Sequence, residues 1–97
     1  MARPTALTDE ALQHALEGLP QWQLDDGALV RIFRFPDFPA AFAFMTRCAF
    51  EAERLGHHPD WTNVYDRVHV RLSTHDVGAI TTLDLELAGA MDRAAGP

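Results

Sequence analysis

Trp61-Thr-Asn-Val-Tyr65-Asp-Arg-Val68-His-Val70-Arg-Leu72-Ser-Thr74 is the stretch that decides the fold. Val68, Val70 and Leu72 alternate with His69, Arg71 and Ser73, the period of two that a half-buried strand requires. Trp61 to Tyr65 is a second β-rich run, and Asp66-Arg67 between the two predicts a hairpin whose valines face a core. The turn leaves the register open, because a slip of one residue exchanges the faces of Asn63 and Val64.

Immediately upstream, Ala40 to Leu55 carries Phe42, Met45, Ala49 and Ala52 at spacings of three and four. This predicts a long helix with that stripe in the core, started by Pro36-Asp-Phe-Pro39 and closed by Gly56. Farther back, Trp22 to Leu24 and Leu29 to Phe35 flank Asp25-Asp26-Gly27, a turn sequence that supplies positive φ, so they predict a first hairpin. Thr8 to Glu17 reads as a capped helix with Leu7, Ala11, Leu12, Ala15 and Leu16 at helical spacing, ended by Gly18 and Pro20. Downstream, Thr81-Thr-Leu-Asp84 opens a last helix with Leu83, Leu87, Ala90 or Met91, and Ala94 as its stripe. The predicted order is α-β-β-α-β-β-α. It implies an α+β domain, a four-stranded antiparallel sheet with its helices packed on one face. At 97 residues the chain is expected to form one domain, 1–97, with no room for a second.

Eight basic residues against fourteen acidic ones give a net charge of −6, which argues against nucleic acid as a partner. No apolar stretch approaches the length of a membrane span or of a signal peptide's apolar segment, so no membrane is expected and cytoplasm is the expected compartment. Cys48 is the single cysteine, sits in an apolar run, and reads as a buried packing thiol.

Four of the five histidines fall between positions 57 and 75. His57 and His58 follow the helix-ending Gly56, and Pro59 biases His58 toward extended backbone, so both rings are expected to leave a loop. His75 ends the fourth strand, which in an antiparallel hairpin lies beside the start of the third, near Trp61. Three imidazoles and an indole are expected to converge. Solvated loop histidines are one reading of this cluster. A metal site is another, with His57, His58 and His75 as ligands and Glu53 or Asp84 as the fourth. Adjacent His-His is poor ligand spacing and no cysteine assists, so acid/base chemistry without a metal is preferred, with Trp61 as a flat apolar wall for a planar ring. His69 lies mid-strand and reads as structural, on a solvent or interface face. His14 reads as solvated. Asp84 has a ready structural explanation, since the third position after a Thr cap favours an acid.

Glu53-x-x-x-His57-His58-Pro59-x-Trp61-x-Asn63-Val64-Tyr65, Val68-x-Val70-x-Leu72-x-Thr74-His75, Gly78 and Thr81-x-x-Asp84 together resemble the signature of the pterin-4a-carbinolamine dehydratase family. Phe42-x-Phe44-Met45-Thr46-Arg47 and Glu51-Ala52-Glu53-Arg54-Leu55 are similar to that family's main helix. The resemblance implies an enzyme that removes water from 4a-hydroxytetrahydropterin, left after an aromatic amino acid hydroxylase acts, to give quinonoid dihydropterin. It implies His57, His58 and His75 as catalytic residues and Glu53, Pro59, Trp61, Ser73, Thr74, Asp76 and Asp84 as substrate-binding ones, with no cofactor and no metal. Homodimers joined through their sheets, paired through helices into homotetramers, are also implied. The family further includes non-enzymatic members that stabilise a transcription factor's dimer or assist assembly of other enzymes, so an interaction protein is the competing reading. Two positions depart from the pattern: Ala79 stands where a second glycine is common, and Thr82-Leu83 where many members are more polar.

Overall fold

The structure, a computed structural model, describes residues 4–96. Helix α1 (Asp9–Leu16) is followed by strands β1 (Gln23–Asp25) and β2 (Ala28–Arg34), helix α2 (Phe38–Leu55), strands β3 (Asp60–Val64) and β4 (Arg67–Leu72), and helix α3 (Thr82–Ala95). The expected α+β order is the observed one. All strand pairings are antiparallel, and the sheet order β1-β2-β4-β3 leaves β1 and β3 at the edges.

Both hairpins turn on two residues. Asp26 and Gly27 both have positive φ, which matches the right-handed twist of the flanking strands and sets Asp25 opposite Ala28. The second turn falls at Tyr65-Asp66 and not at Asp66-Arg67, with Val64 opposite Arg67. Tyr65 adopts positive φ, and Asn63 Nδ2 donates to the carbonyls of Tyr65 and Arg67 at 3.1 and 2.9 Å. That amide secures a turn that lacks glycine. Its register puts Asn63 opposite Val68 and leaves Val64 on the exposed side.

Leu29 and Phe33 of β2 and Val68, Val70 and Leu72 of β4 form the buried sheet face, against which α2 and α3 pack. Arg31 shares that face. It is accommodated because its guanidinium lies 4.0 Å over the Phe33 ring and donates to Asp92 of α3 at 2.5 Å, where the Trp22 indole also donates. The inward stripe of α2 is Ala41, Phe44, Cys48 and Ala52. The expected stripe was rotated by about one residue: Met45 packs at the core margin, whereas Phe42 and Ala49 are exposed. Cys48 is fully buried, and this desolvation pushes its thiol up to about 12, against a lowering by Arg47. Because the thiolate is the reactive species, a maleimide at pH 8 should leave Cys48 unmodified in the folded protein and label it after unfolding. Labelling at equal rates in both states would contradict this packing.

Candidate functional site

The end of α2 places the first two imidazoles. Gly56 closes the helix at φ 64, its N–H donates to the Glu53 carbonyl, and the His57 N–H donates to the Ala52 carbonyl at 3.0 Å. A side chain at position 56 would be strained there, so glycine lets the chain reverse at once and present His57 and His58. Across from them, Thr74 and Ala79 pair as a β-bridge, with Gly78 at φ 68 inside the turn that carries His75 and Asp76. Ala79 has ordinary backbone, so the second glycine's absence costs nothing locally.

Between these loops lies an open cleft of about 470 Å³, within the range of small-molecule sites. His57, His58, Pro59, Ser73, Thr74, His75 and Asp76 of the expected residues line it. Glu53 and Asp84 do not; each reaches the cleft through a histidine. His58 Nε2 meets Glu53 Oε1 at 2.8 Å in an exposed pair, and His57 Nε2 meets Asp84 Oδ1 at 2.5 Å. Trp61 does not line the cleft either. It lies one residue inside β3, pairs with Val70 and packs against the core, so the imidazoles converge without the indole. His69 stands on the exposed sheet face in a separate groove with Ile32, Thr62, Val64 and Arg67. Among the described residues, no group of three His, Cys, Asp or Glu side chains is arranged to hold a metal ion.

Asp84 is the buried centre of this arrangement. Its side chain is 0% exposed and that of His57 only 10%. Oδ2 accepts from the Thr74 hydroxyl at 2.8 Å and from the Thr81 N–H at 2.9 Å, the latter completing a capping box at the start of α3. Oδ1 is thereby turned to His57. The positive end of α3 and these donors compensate a carboxylate that, among the described residues, no Arg pairs with. An ionised Asp84 accepts at Oδ1 from the Nε2–H of His57, and Nδ1 is then the nitrogen left for a ligand.

Sequence reasoning read Asp84 as either a cap or a site residue; its carboxylate caps α3 through Oδ2 and meets His57 through Oδ1. Asp60 and Pro4 also line the cleft and were not singled out, and Leu83 lines it too. Asp60 had a signal in its place directly after His-His-Pro, whereas Pro4 had none, since tertiary contacts draw that segment in, the bond from the Leu7 N–H to the Ile80 carbonyl and the packing of Leu7 against the core. Leu83, at the position where the chain departs from the pattern, supplies an apolar wall.

Fold and site together define a class: a small α+β scaffold that holds paired imidazoles, backed by carboxylates, beside a cleft of small-molecule size. Residues 5–94 match the family profile of pterin 4 alpha carbinolamine dehydratase. The chain belongs to this family. A relative from Rhizorhabdus wittichii that carries the family's name is 52% identical over 88 residues, covering 89% of this chain and 91% of the relative. Another, from Sinorhizobium medicae, is 50% identical over 95 residues, covering 96% and 90%. A crystal structure described as a transcriptional coactivator/pterin dehydratase from Brucella melitensis superposes with a TM-score of 0.92 at 44% identity, covering 95% of this chain and all of that one.

Proposed function

We propose that this protein dehydrates 4a-hydroxytetrahydropterin to quinonoid dihydropterin, with His57, His58 and His75 moving the protons. The observation that carries the proposal is one cleft lined by three imidazoles, the first held through Nε2 by a buried carboxylate. The reaction is the loss of one water. The C4a–O bond breaks as an acid protonates the departing hydroxyl, a base takes the proton from N5, and the N5 electron pair forms the C4a=N5 double bond. No electron is gained or lost overall, so proton donors and acceptors near neutral pKa suit it. His57 exchanges its proton through Nδ1. Glu53 orients His58, Ser73 and Asp76 offer polar contacts to the heterocycle's edge, and Pro59 and Leu83 offer apolar ones. Such an enzyme belongs to tetrahydropterin recycling in the cytoplasm, beside an aromatic amino acid hydroxylase that supplies the carbinolamine.

Purified protein should accelerate the ultraviolet absorbance change that marks quinonoid product, measured against buffer and denatured protein because the reaction also proceeds unaided. Single changes of His57, His58 or His75 to Ala should lower turnover by roughly ten-fold to ten-thousand-fold. His69→Ala should leave it near the unchanged value, and a strong chelator should leave it intact. No acceleration over the controls would refute the enzymatic reading. Loss on chelation, restored by zinc or iron, would recast the histidines as ligands.

A second reading, that the chain assembles with copies of itself or with another protein, draws on the outward face of α2. Phe38, Phe42 and Phe50 are exposed there, at 44%, 55% and 73%. Exposed aromatic side chains on one helix suit a contact surface, and the open edge of β3 suits sheet pairing between copies.

A further inference from the structure

We propose that Thr74 and Thr81 are positioning residues: their hydroxyls form a one-directional hydrogen-bond chain that holds Asp84 and so presents His57 Nδ1 to the cleft. The proposal rests on the dehydratase reading for its kinetic consequence, though not for its structural one. Thr74 Oγ1 lies 2.8 Å from Asp84 Oδ2 and 2.7 Å from Thr81 Oγ1. Thr81 Oγ1 in turn accepts from the Leu83 N–H at 3.2 Å. A hydroxyl has one proton, and the carboxylate oxygen accepts only. Both contacts of Thr74 are therefore hydrogen bonds in one arrangement alone: Thr74 donates to Asp84, and Thr81 donates to Thr74.

That direction leaves the Thr74 hydroxyl with no proton to donate to a substrate. Thr74 borders the cleft, yet it is only 5% exposed and its single proton is committed to Asp84. Thr81 is fully buried and has no access to a ligand. What the pair supplies is rigidity. Thr74 O–H and Thr81 N–H fix Oδ2, which leaves Oδ1 in place for the Nε2 hydrogen of His57. An orienting partner one step behind a catalytic imidazole selects its tautomer and ring angle. The cap of α3 is in this way coupled to the cleft.

Thr74→Val keeps the side chain's shape and removes the hydroxyl, and Thr74→Ser restores it. Nitrogen-15 NMR of the His57 ring should show hydrogen on Nε2 and a bare Nδ1 in the unchanged protein. In Thr74→Val the Nε2 hydrogen should exchange faster with water, kcat should fall about tenfold with KM within about twofold, and Thr74→Ser should recover both. A KM rise with kcat unchanged would put Thr74 against the substrate and overturn the proposal. So would His57 signals that do not respond to Thr74→Val. If that variant fails to fold, the unchanged protein still decides, since a hydrogen found on Nδ1 and not Nε2 contradicts the presentation of a bare Nδ1 to the cleft. A response of His57 in a protein without dehydratase activity supports the positioning chain and refutes only the assigned reaction.

Discussion

Asp84→Asn should lower turnover by about a hundredfold to ten-thousandfold while leaving helix α3 and the fold in place. The amide has the carboxylate's shape but only one acceptor oxygen, and the Thr81 N–H is a donor that cannot rotate away. The amide oxygen must therefore occupy the Oδ2 position, where Thr74 also donates. Its NH₂ group then faces His57 Nε2. Two donors cannot share that contact, so Nε2 becomes the acceptor and the ring hydrogen moves to Nδ1. An imidazole in that tautomer presents an N–H where the unchanged site presents a lone pair, and without the carboxylate it loses its support for carrying a second proton. The dehydration assay measures the loss, and nitrogen-15 NMR of His57 reports the tautomer. Full activity in Asp84→Asn would remove Asp84 from the chemistry and return it to capping alone.

What could be read from the sequence follows from how local each signal is. Hairpin one was legible because Asp26-Gly27 announces its own turn, and α3 because Thr81-x-x-Asp84 announces its cap. Hairpin two was legible as strands but not as a register, because Tyr65-Asp66 carries no glycine and the Asn63 side chain does the work of one. The converging histidines could be found because a helix end and a strand end necessarily meet in this topology. Trp61 was misplaced by a single step of strand alternation, which turns a residue from the cleft to the core. The Thr74 and Thr81 hydroxyls were invisible as a network, since nothing in residue spacing says which way a hydroxyl donates.

Helix α2 shows the same limit in energetic form and yields the second large effect. Phe42 and Phe44 lie two positions apart in a helix that is apolar on two faces, so periodicity alone admits either phase for the core. Phe44 is 0% exposed and stacks near Phe33 and Phe35, with ring centroids 4.6 and 4.9 Å away. Phe44→Ala should then cost about 3–5 kcal/mol of stability, the usual range for emptying a buried aromatic site. Phe42→Ala, at 55% exposure, should cost less than about 1 kcal/mol within one chain. Its loss should appear elsewhere if α2 joins copies: the denaturant midpoint of the unchanged protein should rise with concentration, and that dependence should weaken in the variant. Light scattering should give the unchanged protein a multiple of 10.8 kDa and bring Phe42→Asp toward 10.8 kDa. Equal destabilisation by the two alanine changes would mean that the core takes the other phase of the helix. A monomer mass for the unchanged protein at micromolar concentration would leave the aromatic face of α2 without a second copy to bind.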